Sequence, residues 1–233
     1  MSIPRWFLDE LEHAGSEHLN AEYVAGYDRK AGTDPAEDLA LLLDLGLGEQ
    51  HTLVDLGTGT GALPLIAASH CRRVVAVDVS APMLDVLRER AAVAGIGNIV
   101  CVQAGFLSYQ HEGEPADFVY SRHALHHLPD FWKVIALQRV ASMLKPGGIF
   151  HFRDMRFSAD PGEVEGVIER WLSGAAETPD VGWTREELET HLREEYSTFT
   201  WLIEPMLERV GFEIRERHGL DSKIYVAYTC VKR

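Results

Sequence analysis

Five apolar, β-prone runs alternate with helix-like stretches along most of this chain: "TLVDLG" from residue 52, "RVVAVDV" from 73, "NIVCVQA" from 98, "ADFVYSR" from 116 and "GIFHFRDM" from 148. Runs that are apolar on both faces and separated by helices bury themselves best in a parallel sheet covered on both sides. The fold class is therefore α/β with a doubly wound sheet. Helix punctuation agrees with this spacing. Ser80 is placed to cap a helix that has Pro82 in its first turn and Gly95 at its end, while Pro146 and Gly147 stop the helix that opens near Phe131. Toward the C-terminus, "GFEIRERHG" and "KIYVAYTCV" flank the turn signal "LDS" and read as a closing antiparallel hairpin.

Two stretches fall outside the alternation. Residues 1–46 read as an N-terminal helical lid with Trp6, Phe7, Tyr23 and Tyr27 as aromatic points, and residues 47–233 as one domain with a Gly/Pro-punctuated insertion at 157–183. Thr184 and Glu187 have the spacing of a capping box that opens the next helix. The first ten residues carry charges and lack the long apolar run of a leader, and no later run is long enough to span a bilayer, so a cytoplasmic protein without membrane contact is expected. A formal net charge of -14 repels polyanions and disfavours nucleic acid as a partner. Cys71, Cys101 and Cys230 are odd in number and lack metal-ligand spacing, which reads as buried free thiols.

The stretch "VDLGTGTGALPL", residues 54–65, narrows the function. Gly57, Gly59 and Gly61 form the kind of strand-to-helix turn that lets a ligand approach the backbone, yet Asp55 stands two residues before the first glycine. A carboxylate there repels a diphosphate and attracts a cation. Asp78 ends the next strand, about twenty residues on, where an acidic side chain can grip a ribose diol. A ligand with an unphosphorylated ribose and a positive group fits both, and S-adenosylmethionine has that constitution.

Together with "VVAVDVSAPML" (74–84), "FVYSRHALHHLPD" (118–130) and "LKPGGIFHF" (144–152), this turn resembles the class I S-adenosylmethionine-dependent methyltransferases, in particular small-molecule enzymes of the type 11 and type 25 kind. The resemblance covers roughly residues 20–155 and the closing hairpin. It implies a Rossmann-like, seven-stranded, mostly parallel sheet, with S-adenosylmethionine as cofactor and S-adenosylhomocysteine as product. It further implies that Asp55 and the turn Gly57, Thr58, Gly59 and Gly61 hold the methionine portion, that Asp78 holds the ribose hydroxyls, and that Val79 and Met83 flank the adenine. Gly105 stands where the family often has an acidic residue reaching the adenine amino group, so backbone groups and Phe106 are expected to serve there instead. Ser121 and Arg122 would lie near the methionine end. Tyr27 and Arg29 belong to the lid, where Arg29 would pair with the methionine carboxylate.

Methyl transfer requires an in-line approach to the sulfonium methyl in a dry, well-positioned site, with a base only where the acceptor carries a proton to lose. His123, His126 and His127 share one face of any helical turn and are the candidate catalytic groups. No carboxylate or cysteine accompanies them at diagnostic spacing, so no metal is expected. Arg153 and Asp154 end the fifth strand and would face the substrate or pair with each other. The expected function is methyl transfer to a small-molecule acceptor, with a homodimer left open. A non-catalytic S-adenosylmethionine-binding regulator and a methyltransferase acting on protein stand as alternatives. The missing Asn/Asp-Pro-Pro-aromatic stretch after the fourth strand, together with the acidic charge, opposes methylation of nucleic-acid bases.

Overall fold

The structure is a computed structural model that describes residues 4–31, 34–179 and 181–233. Its strands are β1 Thr52–Leu56, β2 Arg73–Asp78, β3 Ile99–Gln103, β4 Ala116–Arg122, β5 Leu144–Phe157, β6 Thr198–Phe199, β7 Phe212–His218 and β8 Tyr225–Lys232. Seven of them run β3-β2-β1-β4-β5-β8-β7, and the two-residue β6 pairs with β5 off this path as an eighth strand. β8 lies antiparallel to both β5 and β7, whereas the pairings among β1 to β5 are parallel. The doubly wound sheet and its closing hairpin follow the order expected from the apolar runs.

Helices α1 Ala21–Ala31, α2 Pro35–Asp44, α3 Ala62–Ala67, α4 Ala81–Val93, α5 Asp130–Met143, α6 Val164–Ser173, α7 Arg185–Glu194 and α8 Thr200–Arg209 complete the chain. Alternation along β1 divides the interior into two layers. Leu53 packs with Leu42, Leu63, Ala67, Val74 and Phe118 on one face, while Val54 and Leu56 pack with Val75, Leu137, Val140 and Phe150 on the other. All five residues of β1 are buried, as a strand covered on both faces requires. Among the described residues, no helix is long and apolar enough to cross a membrane. The three cysteines are free, Cys71 and Cys230 being buried and Cys101 half-buried.

The segment before residue 47 has two parts. α2 belongs to the layer beneath the sheet edge, because Leu42 is fully buried there and the Asp38 carboxylate accepts hydrogen bonds from Tyr120 Oη at 2.8 Å and Arg122 at 2.5 Å. The 3-10 turns Glu10–His13 and Ser16–Leu19 and helix α1 lend Glu10, His18 and Tyr27 to the cavity described below. The insertion, by contrast, extends past residue 183. α6 rests on a small core of its own made by Met155, Phe157, Ala159, Val167 and Ile224, and the chain continues through α7 to β6 before rejoining the sheet. Thr184 and Glu187 form the expected capping box at the start of α7. Glu187 also pairs with Lys30 of α1, whose ammonium sits 4.7 Å from the centre of the Trp183 ring. The two covering segments are thereby joined to each other.

Candidate active site

Strand order reverses between β1 and β4, and open α/β sheets bind ligands at the carboxyl ends of the strands on either side of such a switch. A cavity of about 710 Å³, including its open mouth, lies there. Gly57, Gly59, Asp78, Val79 and Met83 form its floor, Ala104, Gly105 and Phe106 one side, and Arg122, His123, Ala124, His127 and Leu128 the other. Glu10, Ala14, His18 and Tyr27 close it from the N-terminal segment. The side chain of Arg29 lies outside the described residues. Of the residues named from the sequence, Asp55, Thr58, Gly61, Ser121 and His126 lie off the cavity wall.

The glycine turn is built for close packing. Gly57 has φ +73°, and a Cβ there would sit 2.2 Å from Ala124 Cβ; Gly61 has φ +82°, and a Cβ there would sit 2.1 Å from Leu87 Cδ1. Only glycine tolerates both the left-handed backbone and the contact. Gly59, in contrast, has open space beside it and faces the cavity. Gly57 and Thr58 donate their N–H groups to the Val77 carbonyl at 2.9 and 3.0 Å, Gly59 donates to Asp78 Oδ2 at 2.8 Å, and Gly61 donates to the Thr58 carbonyl at 3.1 Å. These four amides are committed inside the protein. At these four positions the turn offers a phosphate no free amide.

Asp78 fastens the turn and faces the cavity. Besides Gly59, it accepts the Ser80 N–H on Oδ1 at 2.8 Å, while burial pushes its pKa up against those hydrogen bonds. Asp55 lies beneath the turn, 2% exposed, with the Thr58 hydroxyl donating to it at 2.6 Å. Burial raises its pKa to about 7; the Thr58 hydrogen bond opposes that rise and the charges of Asp78 and Asp38 add to it. Helix α1 docks over the same turn through Asp28, which accepts from the Thr60 hydroxyl and pairs with Arg90 of α4 at 2.5 Å.

Gly105 leaves a gap that another part of the chain fills. The Glu10 carboxylate, from the first 3-10 turn, accepts the Leu107 N–H on Oε1 at 2.9 Å, and the Ser108 N–H and hydroxyl on Oε2 at 2.9 and 2.8 Å. A Cβ on Gly105 would sit 2.4 Å from Glu10 Oε1, so the missing side chain makes the room. Burial pushes the Glu10 pKa up while its three donors pull it down. A carboxylate thus stands on this wall of the cavity. The sequence reading missed it because the donor is 97 residues away along the chain.

The three histidines do not share a face. Residues 125–127 form a 3-10 turn and His123 precedes it at φ +50°, so helical spacing does not apply across the group. His123 and His127 line the cavity. The His123 N–H donates to the Arg153 carbonyl at 2.8 Å, its ring lies edge-on to Tyr225, and its ring nitrogens make no hydrogen bond among the described residues. Burial lowers its pKa to about 4 and that of His127 to about 3, which keeps both imidazoles neutral at physiological pH. His126 points away from the cavity. Its Nδ1 lies 2.5 Å from Asp154 Oδ1 and its Nε2 lies 2.9 Å from Glu195 Oε2. Burial opposes its charge, but the two carboxylates prevail and raise its pKa to about 9. As an imidazolium, it cannot accept the acceptor's proton. Asp154 pairs with Arg156 and His126 rather than with Arg153, and Glu195 supplies from the end of α7 the carboxylate that the sequence near the histidines lacks.

Comparison with known proteins agrees with this architecture. The family described as "Methyltransferase domain" matches residues 53–148. An uncharacterised methyltransferase of Geobacillus kaustophilus is 28% identical over 208 residues, which are 89% of each chain. The 27-O-demethylrifamycin SV methyltransferase of Amycolatopsis mediterranei is 27% identical over 193 residues, 81% of this chain and 69% of that one. Among solved structures, Haemonchus contortus phosphoethanolamine N-methyltransferase 2 in complex with S-adenosyl-L-methionine superposes with a TM-score of 0.72 at 17% identity, over 99% of this chain and 61% of that one. The magnesium protoporphyrin IX methyltransferase of Synechocystis with bound S-adenosylmethionine gives a TM-score of 0.65 at 15% identity, over 99% and 100% of the two chains. The fold is that of these methyltransferases. Residues 53–148 are thus similar to the methyltransferase domain family, and the fold is shared with methyltransferases whose structures hold S-adenosylmethionine.

Proposed function

We propose that the enzyme methylates a small molecule held over the ends of β4, β5 and β8, by in-line displacement at the sulfonium, with His123 receiving the proton of the acceptor atom. In that step a lone pair on the acceptor forms the new bond to the methyl carbon. The S–CH3 bond breaks with its electrons returning to sulfur, and the acceptor's proton moves to a His123 ring nitrogen. Charge is neutralised at sulfur, so a site that excludes water favours the transition state. The observation that carries the role of His123 is its imidazole, open to the cavity and held at a left-handed backbone angle that a non-glycine residue adopts only at a price in conformational energy.

A small acceptor is supported by the double cover of α1 and α7, by the net charge of -14, and by the substrates named for the rifamycin and phosphoethanolamine enzymes. For the cofactor we propose Asp78 on the ribose hydroxyls, Val79, Met83 and Phe106 around the adenine, and the glycine turn with Asp55 behind the methionine portion. Arg122, whose Nε is buried without a hydrogen-bond partner, is the group proposed for the methionine carboxylate.

The test is production of S-adenosylhomocysteine against a panel of phenols, amines and thiols, followed by mass spectrometry. Turnover that depends on a small acceptor is expected. His123→Gln should lower kcat by about 10²- to 10³-fold for acceptors that must lose a proton, and change the Kd of S-adenosylhomocysteine by less than about threefold. Full turnover in that variant would remove His123 from the mechanism, and methylation of added proteins alone would replace the small-molecule reading.

Glu10 is proposed to take the acidic role that Gly105 leaves vacant, because Oε1 accepts a single N–H and retains a lone pair for the adenine amino group. Glu10→Ala should weaken S-adenosylhomocysteine by about tenfold, about 1.4 kcal/mol, but leave the inosine analogue, which lacks the amino group, nearly unaffected. Equal losses for the two ligands would show that Glu10 only holds the 105–108 turn.

Asp55 gives a pH dependence. If the cofactor's positive charge is favoured by ionised Asp55, the unliganded pKa of about 7 must be overcome on binding. Apparent affinity for S-adenosylhomocysteine should then be flat above pH 7 and fall as pH drops below it, approaching about tenfold per pH unit. Calorimetry between pH 5.5 and 8.5 reads this slope, and Asp55→Asn should abolish it.

A further inference from the structure

The histidine and carboxylate cluster behind the cavity contains more donor atoms than hydrogen bonding uses. One donor atom from each of His126, His127 and Glu195 lies within 4.8 Å of the other two. Among the described residues, His127 Nδ1 is buried with no hydrogen-bond partner, and Glu195 Oε2 is buried without an aligned hydrogen bond although His126 Nε2, at 2.9 Å, and His191 Nδ1 both pair with it. An unpartnered imidazole nitrogen buried beside a carboxylate oxygen that two other imidazoles share is unusual, because buried polar atoms are nearly always satisfied. Both carry lone pairs, and a cation that takes the place of the proton on His126 Nε2 is bound by His126, His127 and Glu195 together.

The surroundings have the form that holds metal ligands. A ligating imidazole usually gives its second nitrogen to a carboxylate, which fixes the ring and its tautomer. Asp154 takes that position on His126 Nδ1, and Arg156 secures Asp154 at 3.0 Å. His191 approaches the same Glu195 oxygen through Nδ1, while its Nε2 is held by the Ser197 hydroxyl at 2.9 Å. The segment that carries Glu195 is itself anchored, since the Tyr196 N–H donates to the His126 carbonyl at 2.9 Å.

We infer that His126, His127 and Glu195 form a binding site for one divalent ion of the zinc class, closed on the α7 side and open toward the cavity through His127. Two imidazoles and one carboxylate are a donor set for Zn²⁺ and its neighbours rather than for Mg²⁺ or Ca²⁺, and three protein ligands leave a position for an acceptor hydroxyl or thiol. The ion would also pin the insertion to the loop after β4. This inference stands apart from the proposed reaction, because metal uptake is read with neither cofactor nor acceptor present.

The test uses the full chain, freed of metal by chelation and titrated with Co²⁺ alone. A single saturable equivalent with the visible ligand-field absorption of a four- or five-coordinate nitrogen and oxygen site is expected. His127→Ala and Glu195→Ala should each lose the absorption, Asp154→Asn should weaken binding by about 10- to 100-fold, and His123→Ala should keep it. Because the cluster is buried and a variant can unfold, X-ray absorption of the Zn²⁺-loaded wild type provides a second reading, with two imidazole ligands expected. No saturable uptake by folded wild type, uptake that folded His127→Ala and Glu195→Ala variants retain unchanged, or a zinc coordinated by oxygen alone would overturn the site.

Discussion

Replacing Asp78 by alanine is expected to weaken S-adenosylhomocysteine binding by about two to three orders of magnitude with the sheet still folded. Two hydrogen bonds from a ribose diol to a carboxylate contribute about 1.5–3 kcal/mol each, and the same carboxylate positions the cofactor turn through Gly59. Asp78→Asn should fall between wild type and alanine, since the amide keeps one acceptor oxygen and loses the charge. Calorimetric titration gives the affinity, and thermal unfolding checks that the variant is folded. An unchanged Kd in a folded Asp78→Ala protein would mean that the ribose lies elsewhere.

The second large effect concerns stability. Asp154→Ala is expected to lower the unfolding free energy of the metal-free protein by about 3–5 kcal/mol, because it leaves Arg156 and His126 buried without their shared carboxylate. The sign of the pH dependence follows from the three groups. Arg156 and His126 hold the Asp154 carboxyl well below the usual carboxylate range, so its contribution is present above the unfolded value near 4 and is lost in acid. Glu195 is likewise lowered, burial opposing and the imidazoles of His126 and His191 prevailing. His126 is raised to about 9, so its contribution is complete below its unfolded value near 6.5 and is lost as pH rises through 9. The difference between wild type and variant should therefore be largest between about pH 5 and 6.5 and should narrow above pH 9, where Arg156 alone still needs the carboxylate. Urea unfolding in chelator at pH 6 and pH 9.5 reads both values. Equal differences at the two pH values would contradict the charged state assigned to His126.

What could be read from the sequence was what is local. The strand, turn and helix around Gly57 to Gly61 lie within one short stretch, and Asp78 ends the neighbouring parallel strand, so spacing alone brings them together across the β1–β2 register. Glu10 and Glu195 escaped notice because they reach the cavity region from opposite ends of the chain, and no spacing rule links them to Gly105 or to the histidines. The histidine triplet misled for a different reason. Its spacing is that of an α-helical face, but the left-handed His123 and the 3-10 turn after it send His126 back toward Asp154. Nor does the sequence tell α2 from α1, since both are helical and the burial of Leu42 is what shows α2 packed into the core.

The central claim, that this cavity binds an adenosyl amino acid and not a nicotinamide dinucleotide, is tested most directly by titrating S-adenosylhomocysteine and NADH separately into the purified protein by calorimetry. Saturable binding of S-adenosylhomocysteine at micromolar concentration, with no heat from NADH, is the result expected from four committed turn amides and a buried Asp55. Preference for NADH, or silence from S-adenosylhomocysteine with folded protein, would contradict the cofactor site and the mechanism built on it.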